Sequence, residues 1–418
     1  MKKAEHASTG YSDADGMFAS CEQYMHPHLR NKPVGIVPMT VGSSCVIAVS
    51  REAKALGVKN VMPIGMAREI CPDLIEQVQH PDLYRRAHNE LLSEISMVCP
   101  IDTVKSIDEL CFVLGANQVD DPQAVGLAIK ARIHAAFGGW IHMSMGFGPN
   151  RLLAKMACKA GKPEGNMVWQ PRNIYQHLMS QDIDDIPGVG TRMVDKLEKA
   201  GIHSIERLLD CSPAHMAALW GSVTGRRMYY ALHGYDIHAE PSNRGQFGHS
   251  RMLPPTHRTM ASVRPLSRLL MIKAARRMRR EQFRTSRISL ALTAYTRDGD
   301  TTWGRARDVP QLCDYTGIMD GLGELWKLAY REMNPRLALA AVHVCLGELS
   351  PMNQRQLDMW EADENKRMRE EALSDAIDVL NRRYCSTTVY PGLREDKADD
   401  NIGMKISYGR IPRIEDRF

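Results

Sequence analysis

DADGMFASCEQ, residues 13–23, has the pattern of a short β-strand that turns directly into a helix. Asp13 and Asp15 have the two-residue spacing of a strand, so we expect their side chains to share a face. A second acidic stretch, SIDELCF (106–112), places an adjacent aspartate and glutamate at the tip of a hairpin predicted over residues 101–114. The two stretches together predict a β-sheet that carries carboxylates at its strand ends.

These carboxylates predict a metal site. Asp13, Asp108 and Glu109 are flanked by apolar or small residues, among which an uncompensated charge is costly to bury. Mg²⁺ prefers oxygen ligands and commonly takes one or two carboxylates, while phosphates and water complete its shell. Two such ions about 3.5–4 Å apart can hold the attacking and leaving oxygens of a phosphoryl transfer. An isolated acidic pair is more often an exposed turn, so the flanking sequence has to decide between the two interpretations.

The length and composition of the chain set its class. With 418 residues it is too long for one ordinary core, which predicts two to four domains. It is 44% hydrophobic and 25% charged, with a formal net charge of +5, as is usual for a globular protein. Its 10 cysteines show no C-x-x-C spacing, which argues against a cysteine-based zinc site and favours reduced core cysteines. Without an apolar signal core or an 18-residue apolar run, we expect no membrane association.

Hydrophobic patterning divides the chain into mixed and helical parts. One short helix is predicted to begin at Arg51, with Ser50 as N-cap and Gly57 as its stop. The other predicted segments are two β-like runs over 34–50, a helix-rich span to about 98, a helix over 121–137, a strand over 140–147, short helices over 168–235 and a small α/β domain over 250–347. After residue 350 the chain becomes polar, and we expect a partly disordered tail.

Five motifs occur in the order and spacing of the Y-family translesion DNA polymerases, which the chain resembles over roughly residues 10–350. They are DADGMFASCEQ (13–23), VIAVSREAKALGVKNVMP (46–63), SIDELCF (106–112), SMGFGPNRLLAKMACKAGKPEG (144–165) and IDDIPGVGTRMVDKLEKAGI (183–202). Around EAKALGVK (52–59) the resemblance is strongest to the UmuC-type branch. It implies template-directed, error-prone DNA synthesis from dNTP on primer-template DNA, with two Mg²⁺ ions.

The resemblance also implies an α+β, multidomain, right-hand fold. Its parts are a palm (1–28 and 78–168), fingers (29–77), a helical thumb with a helix-hairpin-helix (169–240), an α/β little finger (245–349) and a C-terminal tail with a clamp-binding motif (350–418). Such an enzyme is expected in the cytoplasm, associated with the nucleoid. No exonuclease-like block of acidic motifs is visible, so we expect no proofreading.

Roles for the acidic residues follow from the resemblance. Asp13, Asp108 and Glu109 are implied to be the catalytic metal ligands, with the Ala14 carbonyl as a further ligand. The position of Asp15 varies in the family, which leaves its role open.

The resemblance also implies residues that contact the nucleotide. Phe18 occupies the position of a steric gate, whose ring would collide with a ribose 2′-OH; a core role is the alternative, and both can hold. Lys162 resembles the lysine that reaches the triphosphate, and Arg51 and Lys54 stand where the fingers contact the same phosphates. Other branches carry different side chains at the last two positions, so lesion preference stays open.

Two further segments predict DNA binding. Gly188 and Gly190 lie in a helix-hairpin-helix-like motif, in which glycines let the backbone approach a phosphate and helix amides bind it. Seven basic residues lie within 273–287; on a helix most of them form one stripe that can follow a phosphate backbone. We expect the stripe to bind the duplex through three arginines, Arg276, Arg277 and Arg280. An ordinary helical packing unit and a solvated helix face are the respective alternatives.

The tail predicts a protein partner. Gln356, Leu357, Met359 and Trp360 resemble the short peptide that docks bacterial polymerases on the sliding clamp, with two apolar anchors for a preformed pocket. UmuC-type relatives also work with a small activating partner protein, which the resemblance makes a possibility here.

Two other functions are consistent with parts of the sequence. A non-catalytic, clamp- and DNA-binding accessory of the same fold would lack the acidic triad, which is present here. A repair protein or nuclease that relies on the helix-hairpin-helix and the basic helix would leave the N-terminal 165 residues unexplained.

Overall fold

The computed structural model describes residues 3–38, 45–237, 244–296, 299–354, 364–384 and 389–392. Contacts divide this part of the chain into two compact units, one formed by the described residues up to 237 and the other by those from 244 onward. Each unit has its own β-structure and its own buried core. This division is what a chain too long for a single core requires.

The first unit contains two β-sheets. Its strands are β1 (Thr9–Ala14), β2 (Val34–Val37), β3 (Ala48–Val49), β4 (Ile75–Val78), β5 (Ile101–Val104), β6 (Glu109–Val113), β7 (Met143–Gly148) and β8 (Asn166–Val168). A five-stranded sheet has the order β5-β6-β1-β7-β8, and a three-stranded sheet has the order β3-β2-β4. Neighbouring strands are antiparallel except for β2 with β4 and β7 with β8. The hairpin predicted around SIDELCF is therefore present as β5 and β6.

Helices cover both sheets and continue beyond them. They are α1 (Met17–Met25), α2 (Arg51–Ala55), α3 (Ile64–Ile70), α4 (Pro81–Ser96), α5 (Pro122–Phe137), α6 (Arg151–Ala160), α7 (Ile174–Leu178), α8 (Thr191–Lys199), α9 (Ile205–Leu209), α10 (Pro213–Trp220) and α11 (Val223–Leu232). Helix α6 packs on β1 and β7 at the centre of the larger sheet, and α4 packs beside α5. The short helices α7–α11 share a core with α6 through Leu153 and Met156.

A glycine makes the turn from β1 into α1. Gly16 has a φ of 58°, in the left-handed region that glycine adopts at little cost. A Cβ at this position would lie 2.9 Å from the carbonyl oxygen of Val49. A larger residue would therefore be strained and would push the end of β1 away from the smaller sheet.

Helix α2 begins and ends where local signals predict. The Ser50 hydroxyl accepts from the backbone N–H of Ala53 at 3.3 Å and caps the helix. It also accepts from the N–H of Val34 and donates to the carbonyl of Lys32, which ties the cap to β2. Gly57, with a φ of 98°, follows the last turn. The fold thus presents Arg51 and its neighbours from the edge of the smaller sheet.

The second unit is an antiparallel sheet covered by helices. Its elements are β9 (Gln246–Met252), α12 (Met260–Arg280), β10 (Phe283–Thr296), β11 (Gly299–Leu312), α13 (Tyr315–Glu332), β12 (Leu339–Pro351) and α14 (Glu364–Arg383). The strand order is β11-β10-β12-β9. Ile288, Leu290 and Leu292 of β10 are fully buried in the core beneath α12 and α13. Strand β10 buries every second side chain in this way because its sequence alternates between apolar and polar residues.

The predicted basic stripe over residues 273–287 is wrong in its second half. Helix α12 ends at Arg280, Gln282 has a φ of 60°, and Arg284 and Arg287 lie on β10. The physical reason is the two-residue alternation of β10, whose buried face outweighs the helix propensity of its arginines.

Helix α14 is a difference from the structure expected for the tail. This helix lies inside the segment expected to be a polar tail, and its Ile377 belongs to the buried core of the second unit. The predicted clamp-binding residues Gln356, Leu357, Met359 and Trp360 lie outside the described residues. In the described part of the chain, none of the helices has the length and apolar character needed to cross a membrane.

Candidate active site

The register of the larger sheet brings the predicted acidic triad together. Asp13, at the end of β1, is paired with Glu109, the first residue of β6. The backbone N–H of Ala14 donates to the carbonyl of Asp108 at 2.9 Å, which closes the strand end against the hairpin tip. Residues separated by almost a hundred positions in sequence therefore share one sheet edge.

Two side chains hold the hairpin tip in place. The Ser106 hydroxyl donates to the Asp108 carboxylate and accepts from the backbone N–H of Glu109 at 3.1 Å. Nδ1 of His88, on α4, lies 2.8 Å from the carbonyl oxygen of Ile107 and must carry the proton, because a carbonyl only accepts. Burial lowers the pKa of His88, so the ring is neutral near pH 7. The orientation of the Asp108 side chain thus depends on groups outside the triad.

Two lysines contact the carboxylates. Lys162 Nζ lies 2.5 Å from Asp13 Oδ1 and 3.6 Å from Asp15 Oδ1. Lys155 Nζ lies 2.6 Å from Glu109 Oε1 and 3.1 Å from the hydroxyl of Tyr11. Sequence reasoning proposed Lys162 and missed Lys155, although the latter lies in the quoted stretch SMGFGPNRLLAKMACKAGKPEG.

The site carries more negative than positive charge. Burial raises the pKa of Asp13 to about 7, against the lowering effect of Lys162, and the nearby Asp108 and Glu109 raise it further. Burial by itself lowers the pKa of Lys162, but its contacts with Asp13 outweigh this and the pKa is raised. In the described contacts, three carboxylates pair with two ammonium groups, and the fourth, that of Asp108, accepts from the Ser106 hydroxyl. Partly buried oxygen ligands with uncompensated charge fit divalent cations such as Mg²⁺.

Asp15 serves a different purpose from the triad. Its carboxylate accepts from the Ser144 hydroxyl at 2.7 Å and from the backbone N–H of Glu164 at 2.9 Å, and the residue is only 7% exposed. These bonds use the carboxylate to attach the loop that carries Lys162 to the sheet. Their geometry favours a positioning role for Asp15.

Arg51, the first residue of α2, contacts the same loop. Arg51 forms an ion pair with Glu164, whose carboxylate also lies 3.1 Å from Nδ1 of His142. Both partners of the ion pair are more than 40% exposed, and Lys54 is exposed on the same helix. The sequence offered no signal for Glu164, because its partner lies more than a hundred residues away.

Phe18 is held against another aromatic ring. It is 5% exposed, and its ring stacks on that of Tyr84 with centroids 4.4 Å apart and planes at 11°. The Tyr84 hydroxyl donates to the Glu22 carboxylate at 2.7 Å. Phe18 is therefore a packed residue, and this packing fixes the direction of its ring.

The predicted DNA-binding hairpin has an open backbone. Gly188 has a φ of 91°, and Gly190 is the N-cap of α8, whose N-terminus has no side-chain cap among the described residues. A Cβ at Gly190 would meet no atom within 4 Å. The N-terminal amides of α8 are therefore accessible to an anion.

The predicted DNA-binding arginines of α12 have partners inside the second unit. Arg276 Nε lies 3.5 Å from the carboxylate of Asp378 on α14. Arg277 donates to the carbonyl of Gly248 at 2.6 Å. Arg276, Arg277 and Arg280 are all half-buried, so the stripe is less accessible than its sequence suggests.

Comparison with known proteins identifies relatives along most of the chain. The impB/mucB/samB family matches residues 12–159, the thumb domain of DNA polymerase-iota matches 184–236, and the impB/mucB/samB C-terminal domain matches 244–359. DNA polymerase IV of Moorella thermoacetica is 29% identical and covers 95% of this chain and 97% of the relative. DNA polymerase IV of Oceanobacillus iheyensis is 26% identical, and the match covers 97% of this chain and 96% of the relative.

Solved structures share the fold. A Y-family DNA polymerase chimera, Dbh-Dpo4(243-245)-Dbh, has a TM-score of 0.68 at 24% identity and covers 81% of this chain and 98% of that one. DinB from Sulfolobus solfataricus has a TM-score of 0.51 at 24% identity with the same coverage.

A sheet edge with clustered carboxylates, a helical region after it and a separate α/β unit match the fold expected for a right-hand polymerase. The chain belongs to the Y-family DNA polymerases, with a palm, a thumb and a C-terminal little finger, and it is a DNA-directed DNA polymerase of the translesion class. The predicted family, fold class and enzyme activity are confirmed. The relatives named above are called DNA polymerase IV, and their names do not place the chain in the UmuC-type branch.

Proposed function

We propose that the primer 3′-OH attacks the α-phosphate of a dNTP at the edge formed by β1 and β6, releasing pyrophosphate, with Asp13, Asp108 and Glu109 holding two Mg²⁺ ions. The observation that carries this proposal is the pairing of Asp13 with Glu109 and the bond from Ala14 to Asp108. When bound, the ions would supply charge neutralisation for the triphosphate and a lowered pKa for the attacking hydroxyl. The Ala14 carbonyl lies at the same edge and is a further candidate ligand.

Lys162 would exchange partners when substrate arrives. Lys162 now forms an ion pair with Asp13, and a cation on that carboxylate would release the ammonium group toward the triphosphate. Lys155 would continue to orient Glu109 from the other side. Catalysis of this kind relies on charge stabilisation by groups that are already in position.

Residues of α2 and α1 would complete the nucleotide pocket. Arg51 would move from Glu164 to the phosphates, because both side chains are exposed and a surface ion pair is weak. Lys54 projects from the same helix. Phe18, held by Tyr84, would act as the steric gate against a ribose 2′-OH.

DNA would be held without regard to sequence. The amides around Gly188 and Gly190 would bind a backbone phosphate, and Arg276, Arg277 and Arg280 would bind others. We also propose the domain boundaries given above, a cytoplasmic, nucleoid-associated location and a possible small activating partner. Membership of the UmuC-type branch stays a prediction that the names of the relatives do not support.

Metal-dependent primer extension tests the catalytic assignment. With primer-template, dNTPs and Mg²⁺, we expect Asp108→Ala to lose at least about a hundredfold in rate, since charge stabilisation at the reacting centre is removed. Asp102→Ala is the matched control, because Asp102 is an exposed residue on the same hairpin. Wild-type extension by Asp108→Ala would contradict the assignment. DNA binding without extension by the wild type would favour the non-catalytic accessory.

Clamp binding by the tail is tested separately. We expect immobilised bacterial sliding clamp to retain the wild-type chain but neither Met359→Ala nor Trp360→Ala, because each variant loses an apolar anchor. Leu373→Ala, which removes an exposed apolar side chain of α14, is the control. Equal retention of all four proteins would end the proposal that Gln356, Leu357, Met359 and Trp360 dock on the clamp.

A further inference from the structure

Next to the stacked rings of Phe18 and Tyr84 lies a group of three side chains that neither the catalytic proposal nor the family comparison uses. Glu22, on α1, is fully buried. Its carboxylate lies 2.9 Å and 3.1 Å from Nδ1 of His80, which precedes α4, and 3.4 Å from Nε2 of His26, which ends α1. One ligand atom from each of the three residues can be chosen so that all lie within 4.8 Å of one another.

These distances fit a small divalent cation. Tetrahedral coordination with bonds of about 2.0–2.1 Å places neighbouring ligand atoms about 3.4 Å apart. The carboxylate–imidazole distances of 3.4 Å and 2.9–3.1 Å are close to this value, and the two imidazole nitrogens, which lie within 4.8 Å of each other, would have to reach the same separation. The helix backbone already places Glu22 and His26 on one face, four residues apart.

We propose that Glu22, His26 and His80 form a binding site for Zn²⁺ or a similar imidazole-preferring divalent cation, separate from the Mg²⁺ site. Two imidazole nitrogens and one carboxylate oxygen suit zinc, whereas Mg²⁺ prefers oxygen ligands alone. His26 and His80 are 40% and 51% exposed, so solvent can reach the ion and occupy a fourth position. The ion would also compensate the negative charge of the buried Glu22 carboxylate.

The site is connected to the proposed steric gate. The Tyr84 hydroxyl donates to Glu22 at 2.7 Å, and the ring of Tyr84 stacks on Phe18. A cation on Glu22 would fix this carboxylate and therefore the hydroxyl that bonds to it. Zinc occupancy should then change how firmly Phe18 is held, a consequence that rests on the proposed role of Phe18.

Competition with a chromophoric chelator measures binding directly. Full-length protein is stripped of metal and titrated with Zn²⁺ in excess Mg²⁺, which occupies the catalytic carboxylates. We expect one Zn²⁺ per chain and a loss of at least about tenfold in affinity for both His26→Gln and His80→Gln. His203→Gln, which alters an exposed histidine elsewhere in the first unit, should bind as the wild type does. Absence of binding, or equal affinity in all variants, would overturn the proposal.

Two further measurements separate this site from the catalytic one. Asp108→Ala should retain zinc binding, and loss of binding in that variant would overturn the proposal by assigning the ion to the catalytic carboxylates. Co²⁺ should give the ligand-field absorption of a four-coordinate site in the wild type and not in His80→Gln. Melting of each variant in chelator verifies folding independently of metal.

Coupling to the gate is read from nucleotide choice. Zinc should change the ratio of ribonucleotide to deoxyribonucleotide incorporation in the wild type and leave it unchanged in His80→Gln. An unchanged ratio in a wild-type chain that binds zinc would overturn the coupling to Phe18. Absence of primer extension would instead count against the proposed catalytic function, because zinc binding is measured without it.

Discussion

The carboxylates of the first unit and the arginines of the second are both dense clusters of like charge, but they differ in how far the chain pairs them with opposite charge. At the sheet edge of the first unit, three carboxylates share two lysines and that of Asp108 accepts from a hydroxyl, so negative charge is left over. In the second unit, Arg276 and Arg279 meet the carboxylate of Asp378. Charge that the chain leaves uncompensated points to a ligand, whereas charge that the chain itself pairs supports the fold.

The arginines nearest α14 are parts of a core. Arg279 is 3% exposed, donates to Asp378 at 2.8 Å and to the carbonyl of Cys313 at 2.6 Å, and lies over the ring of Tyr315. Arg284 makes a two-pronged contact with Glu371 at 2.6 Å and 3.1 Å. A planar guanidinium suits such sites because it offers several donors in one plane. These arginines attach α14 to the sheet and are not available to a phosphate backbone.

Removing the carboxylate that pairs with the buried arginine should have the largest effect on stability. Asp378→Ala leaves Arg279 buried without its partner, and we expect the free energy of unfolding of the second unit to fall by about 3–5 kcal/mol. Chemical denaturation measures this change. Asp375→Ala, which removes an exposed carboxylate of the same helix, is the control. A loss no greater than that of the control would show that α14 is not held by this pair.

The pH dependence of the metal-free protein should reveal the excess negative charge around Asp13. Burial raises the pKa of Asp13 from 3.8 to about 7, so its contribution to stability is greatest at low pH and is lost as pH rises through 7. Asp13→Asn removes this loss, at about 1.4 kcal/mol per pKa unit. We therefore expect the variant to gain melting temperature relative to the wild type at pH 8 and much less at pH 5.

Two additions make this measurement decisive. Mg²⁺ should stabilise the wild type at pH 8 and reduce the advantage of Asp13→Asn, because the cation compensates the ionised carboxylate. Asp102→Asn, at an exposed position, should show the pH dependence of the wild type. An equal advantage of Asp13→Asn at both pH values would mean that the charge at Asp13 is already compensated.

The smallest effect is expected for DNA binding by the arginines of α12. Removing one arginine that binds a phosphate should reduce the slope of log affinity against log salt by about 0.9. We expect the combined variant Arg276→Ala, Arg277→Ala, Arg280→Ala to lower the slope by less than three times this amount, because Arg276 is near Asp378 and Arg277 bonds to Gly248. Salt titrations of duplex binding measure this slope. Arg336→Ala, which removes an exposed arginine elsewhere in the second unit, is the control. An unchanged slope would remove these arginines from the DNA interface.

The parts of the fold that the sequence predicts are those marked by local signals, such as capping residues and turns. Ser50 and Gly57 mark the start and the end of α2. A hydroxyl cap and a residue with left-handed backbone conformation each act on the nearest turn, so both can be recognised locally. The hairpin of β5 and β6 follows from an alternating run, IDTV (101–104), and an apolar run, LCFVL (110–114), separated by a short turn. Strand β11 carries no such signal, because most of its side chains are exposed and no apolar alternation marks it.

The amino-acid sequence by itself determined the family, the hairpin that carries the acidic pair and the short elements with local start and stop signals. The tertiary structure alone decided which charges are compensated: Lys155 on Glu109, Arg51 on Glu164 and Arg279 on Asp378. The last pair joins residues 99 positions apart. Periodicity and capping act over a few residues and therefore leave a pattern in the local sequence. An ion pair needs only proximity in space, so no local sequence pattern predicts it.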